Sequence, residues 1–127
     1  MTFYFDSEYP SSLFECVRLL YSMPGAYDIR LIYGEDNKLS EDREKTVVFL
    51  FDHAKRGISL PTRKHYEKGF RVFAFKIDRS KKPTFFGVAL TLLSAWKNIQ
   101  KKIEESDGPF VCTIHYDNQK VYSMKMN

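Results

Sequence analysis

The stretch TVVFLFD, residues 46–52, reads as a buried β-strand closed by an acid. Thr46, Val47, Val48, Phe49 and Phe51 are β-branched or aromatic, and a nearly unbroken apolar run is what a strand covered on both faces requires. Strands of that kind belong to parallel sheets, whose connections cross over through helices. Upstream, Phe3-Tyr4-Phe5 is a short apolar strand ending at Asp6. Pro10 suits a first helical turn, and Leu13, Cys16, Val17 and Leu20 then recur at helical spacing up to Met23. Pro24-Gly25 stops that helix, Asp28 to Tyr33 reads as a second strand, and Gly34 opens an acidic loop.

Downstream, Ser59 can cap a short helix towards Lys68, which Gly69 ends. Phe70 to Ile77 reads as a fourth strand, ending at Asp78. Pro83 starts the longest helix, with Phe85, Ala89, Leu92, Trp96, Ile99 and Ile103 as one stripe. Gly108-Pro109 breaks it. The last piece reads as a hairpin, Phe110 to Tyr116 and Lys120 to Met126, turning at Asp117-Asn118. This order predicts one α/β domain over residues 1–127: a mainly parallel sheet with helices on both faces, closing in a C-terminal β-hairpin.

The composition agrees with a packed core. Of 127 residues, 43% are hydrophobic and 16% aromatic, which argues against a disordered chain. Asp6 and Glu8 stand where a secretory signal would need an apolar run, so export by that route is not expected. The greasiest segment, Phe85 to Trp96, is too short to span a bilayer, so no membrane is expected. Cys16 and Cys112 both sit in apolar patterns and read as buried thiols in a reducing compartment, which makes the location cytoplasmic.

Charge is unevenly placed. Residues 1–52 hold ten acids and five bases, whereas residues 53–82 hold ten bases and two acids. A formal +8 in thirty residues invites an anionic partner, with nucleic acid first, although a solvated surface explains the same run. Lys55, Arg56, Arg63 and Lys64 flank the end of the central strand and are the candidates for phosphate contacts. Tyr9 and Tyr66 could stack on bases or simply pack; His53 and His65 could shuttle protons or contact phosphate but read first as surface residues, and His115 reads as structural. No zinc spacing, nucleophile elbow or phosphate-cradling glycine loop is present.

The acids fall at strand ends. Asp6, Asp52 and Asp78 each close an expected strand, and in an open parallel sheet those ends share one edge, where ligands bind. The loop from Glu35 to Glu44 leaves from the same edge. Two carboxylates at ~4 Å repel by about 4 kcal/mol at an effective dielectric of ~20, so convergence calls for a proton or a cation. Mg2+ or Mn2+ suits two or three carboxylates with open positions. On this reading the ion raises the melting temperature, and Asp52→Asn raises the metal-free value by relieving repulsion. Aspartate also favours turns, and for any one position that explains it as well.

The segments FYFDSEYPSSLFECVRLL (3–20), YGED (33–36), VVFLFD (47–52) and RVFAFKID (71–78), with a long helix and hairpin after them, resemble the PIN-like ribonucleases found as toxins in bacterial toxin–antitoxin systems. The resemblance implies a single PIN-like domain that is a Mg2+- or Mn2+-dependent endoribonuclease. Its catalytic and metal residues would be Asp6, Asp42 (or Glu41) and Asp52, with Asp78 a fourth metal ligand. It further implies an RNA substrate, an antitoxin protein as partner and room for a homodimer. The chain departs from the pattern at one place: only Ser40 to Lys45 separate the intermediate acid from the next strand, too few residues for the helix that normally carries it. A catalytically degenerate PIN-like binding module is therefore an alternative. So is a phosphoacceptor receiver-like domain, with Asp6 and Asp52 at its strand ends and Lys76 as its lysine.

Overall fold

The computed structural model describes residues 1–21, 30–34, 42–77, 80, 83–116 and 120–126. Six strands form one sheet: β1 (Thr2–Asp6), β2 (Arg30–Gly34), β3 (Thr46–Asp52), β4 (Arg71–Lys76), β5 (Phe110–His115) and β6 (Val121–Ser123). Their order across the sheet is β2-β1-β3-β4-β5-β6. β1 to β5 are parallel and β6 returns antiparallel along β5. The fold is α/β with a mostly parallel sheet and a closing hairpin, as the strand patterns predict. β6 is shorter than the expected Lys120 to Met126.

Among the described residues three α-helices accompany the sheet: α1 (Ser11–Leu20), α2 (Leu60–Glu67) and α3 (Phe85–Glu105). Each start has a local cause. Pro10 precedes α1 with φ −58°, and the Ser59 and Thr84 hydroxyls accept the Thr62 and Gly87 amides at the starts of α2 and α3, satisfying amides a helix leaves open. Among the described residues no helix is long and apolar enough to cross a membrane.

Strand side chains alternate in direction, and two apolar clusters follow. Phe3, Phe5, Phe49, Phe73 and Phe75 join Leu13 and Val17 of α1 and Val88, Leu92, Trp96 and Ile99 of α3. Tyr4, Val48, Leu50, Val72 and Val111 gather with Phe70, and Ile58 and Tyr66 of the α2 region pack against them. The long helix buries Val88, Thr91 and Ala95 besides the expected Leu92, Trp96, Ile99 and Ile103, while Phe85 is half exposed. Phe85 is the first residue of α3, ahead of the turn that reaches the core. Cys16 is exposed and only Cys112 is buried, so the pairing of two buried thiols is corrected. The helical stripe there runs through Leu13 and Val17, which leaves Cys16 beside it.

The end of β5 is locked to the start of α3. The Tyr116 hydroxyl accepts the Thr84 amide at 3.4 Å, and the Thr91 hydroxyl donates to the Tyr116 carbonyl at 3.1 Å. A β-carbon at Gly87 would collide with the Tyr116 ring and hydroxyl. Gly87→Ala should accordingly cost about 1–3 kcal/mol, the usual range for overpacking. Urea unfolding checks it, and a change inside about 0.5 kcal/mol would mean that Tyr116 swings aside freely.

Candidate functional site

Asp6 and Asp52 end parallel neighbours, β1 and β3, at the edge where the sheet order reverses. Ligands bind at such an edge in open α/β sheets. Strand alternation puts Tyr4 and Asp6 on the same side as Val48, Leu50 and Asp52. In the register Phe5 lies opposite Phe49, so Asp52 stands two residues beyond the level of Asp6, roughly 7 Å at ~3.3 Å per residue. Asp6 forms a turn of its own: Oδ1 accepts the Glu8 amide at 2.9 Å and its carbonyl accepts the Tyr9 amide at 3.0 Å.

Asp52 has a different occupation. It is 1% exposed, and its two oxygens accept four hydrogen bonds. Oδ1 takes the Ala54 amide at 2.9 Å and the Lys76 ammonium at 3.0 Å. Oδ2 takes the Ser59 amide at 2.7 Å and the Thr62 hydroxyl at 2.8 Å. Burial alone would raise this carboxyl, but the amides of Ser59 and Ala54, then Thr62 and Lys76, outweigh it and hold it below the ordinary carboxylate value. Lys76 is the register partner of Asp52 on β4. Its ammonium also donates to the Ala54 and Gly57 carbonyls, at 2.7 and 2.8 Å. The pair thus ties down the loop that joins β3 to α2. Gly57, at φ +63°, makes the turn in that loop without the strain another residue would carry.

The other expected ligands do not join these two. Asp42 precedes the 3-10 helix Arg43–Lys45, and its carbonyl accepts the hydroxyl of Thr46, the first residue of β3. It therefore lies at the amino end of a seven-residue strand whose carboxyl end carries Asp52, about 20 Å away along the strand. A joint site of Asp6, Asp42 and Asp52 is corrected on that ground: the segment before β3 is too short to fold back to the other edge. Glu41, Asp78 and the acids at 35 and 36 lie outside the described residues. Among the described residues no three His, Cys, Asp or Glu side chains gather as a metal site. Nor does Asp52 suit the Mg2+ or Mn2+ that the resemblance implies, because its lone-pair positions are filled and one partner is already a cation.

The basic candidates stand clear of this network. Lys55 and Arg56 are exposed on the β3–α2 loop, and Arg63 and Lys64 are exposed on α2. None of the four pairs with a carboxylate among the described residues. Beside them His53 Nε2 meets Glu8 Oε2 at 2.7 Å, joining the loops after β3 and β1. Tyr9 is fully buried and stacked on Phe51 at 4.2 Å, so it offers no face to a base. Burial, and then the charge of Asp6, push its hydroxyl above the ordinary tyrosine value. His65, read from sequence as a surface residue, is buried against Phe70 on the inner side of α2.

The sequence offers Lys76 only as the lysine of the receiver-like alternative, not as an ion-pair partner of Asp52, although it is an opposite charge at the end of the next strand in a parallel sheet. Thr62 was also visible, three residues after the cap Ser59. Compared with family models, curated proteins and solved structures, the chain matches none.

Proposed function

We propose that this chain is a PIN-like module that binds single-stranded RNA through its backbone phosphates. In this reading Asp52 anchors a loop and takes no part in chemistry. The observation that carries it is the pinned β3–α2 segment, fixed by Asp52 and Lys76, with Lys55, Arg56, Arg63 and Lys64 exposed along it and on α2. A preordered loop backbone leaves only the Lys and Arg side chains to be ordered when phosphates bind. The packing of α1 and α3 with one apolar cluster and α2 with the other supports a doubly covered PIN-like sheet. The exposed Phe86, Leu90 and Leu93 of α3 offer a surface for the protein partner such a domain would have.

Removing Arg56 and Lys64 together should weaken RNA binding and lower its log–log salt slope by roughly 1.4, at about 0.7 per phosphate contact on a single strand. Fluorescence anisotropy with a labelled single-stranded RNA at several salt concentrations measures both. A parent that binds no RNA at any salt would leave the basic run as a solvated surface and sink the reading.

The ribonuclease reading of the same edge rests on Asp6, whose Oδ2 takes no hydrogen bond among the described residues. It predicts that the parent cuts RNA in Mn2+ and that Asp6→Asn binds RNA equally well but does not cut. If that pattern is seen, the enzyme reading replaces the binding module.

A further inference from the structure

The oxygens around Lys76 form a cation cage. Asp52 Oδ1, the Ala54 carbonyl and the Gly57 carbonyl converge on its ammonium at 3.0, 2.7 and 2.8 Å, which uses all three of its N–H donors. One carboxylate oxygen and two main-chain carbonyls are the ligand types that hard divalent cations take. The Lys76 side chain is mostly enclosed, and that of Asp52 wholly so.

We infer that Lys76 is a resident cation on Asp52, one of the ligands the resemblance implies for a divalent ion, and that its ammonium excludes metal from this carboxylate while positioning the β3–α2 loop. Emptying the cage should convert it into a metal site, because the oxygens need to close in by only a few tenths of an ångström to reach the ~2.3–2.6 Å that Ca2+ prefers. Loop order then becomes cation-dependent in the variant and stays cation-independent in the parent. That RNA is held without metal rests on the binding-module reading; the exclusion of metal does not.

The experiment compares the parent, Lys76→Ala and the double variant Lys76→Ala/Asp52→Asn by thermal unfolding, with EDTA and with millimolar Ca2+ or Mn2+. The parent should melt at one temperature in all buffers. Lys76→Ala should melt about 10 °C lower in EDTA and recover part of that shift in Ca2+, whereas the double variant should show no recovery. If Lys76→Ala does not fold in EDTA, far-UV circular dichroism after refolding in Ca2+ takes its place, and failure to refold overturns the inference. Paramagnetic broadening of the Ala54 and Ser59 amides by Mn2+ in the parent, or a metal-induced rise in its melting temperature, also overturns it. So does a Lys76→Ala variant that melts like the parent and ignores both ions. RNA affinity of the parent should be the same in EDTA and in Mg2+. A parent that binds no RNA removes the function proposed above and leaves the melting result to judge the cage.

Discussion

Asp52→Asn should destabilise the protein by about 3–5 kcal/mol, the cost of breaking a buried ion pair from one side. Whichever way the new amide turns, its NH2 faces two donors: the Ser59 amide and Thr62 hydroxyl, or the Ala54 amide and Lys76 ammonium. Lys76 then keeps its charge in a mostly enclosed place with no counter-charge. Urea unfolding at neutral pH measures the loss. The sign is opposite to what strand-end repulsion with Asp6 would give, so a stabilised variant would restore the carboxylate-pair reading. The parent should show the matching pH dependence. A carboxyl held below its ordinary value of 3.8 contributes its stabilisation fully above that value and loses it as pH falls through the folded pKa. The parent should therefore weaken steeply in acid below about pH 4, and this component should be missing from the Asn variant.

Phe49→Ala should cost about as much, roughly 3–5 kcal/mol, for a different reason. Its ring lies in the middle of a stacked aromatic layer. It is parallel to Phe5 at 4.6 Å, Phe73 at 5.3 Å and Trp96 at 5.7 Å, with Phe3 tilted against it at 5.3 Å. The neighbours belong to β1, β4 and α3, so no single element can shift to fill the hole. Against a total stability of order 5–15 kcal/mol for a domain, such a loss brings the variant close to unfolding. The control is Phe86→Ala on the exposed side of α3, which should stay within about 0.5 kcal/mol. Equal midpoints for the two variants would show that the aromatic layer tolerates a void.

The architecture was legible because its signals are local. VVFLFD and RVFAFKID are too apolar for anything but covered strands, and Pro10, Ser59 and Gly69 mark helix ends by their own backbone chemistry. The site was only half legible. That Asp6 and Asp52 share an edge followed from strand direction. What each carboxylate touches did not, because the Asp52 partners come from a loop, a helix and a neighbouring strand, residues 54 to 76. Sequence shows charges, and repulsion between like charges is the first thing such a list suggests. Two of the four hydrogen-bond donors that cancel it are backbone amides, which every residue carries and no pattern reveals. Asp42 misled for a related reason: the acidic loop that leaves the edge after Gly34, and the resemblance, placed it near the site, but it stands just before β3 and Asp52 closes that strand.

The chain has one tryptophan, and its seat makes it an optical gauge of assembly. Trp96 donates its indole N–H to the Tyr21 hydroxyl at 3.0 Å and has ring contacts with Phe3, Tyr21 and Phe49. Those partners come from β1, the residue after α1 and β3, laid down well before α3 in the chain. Native emission therefore requires the first half of the polypeptide and the last long helix to have met. A blue-shifted tryptophan signal reports that meeting, and a nascent chain released before residue 96 has only tyrosine emission to show for whatever its early strands do.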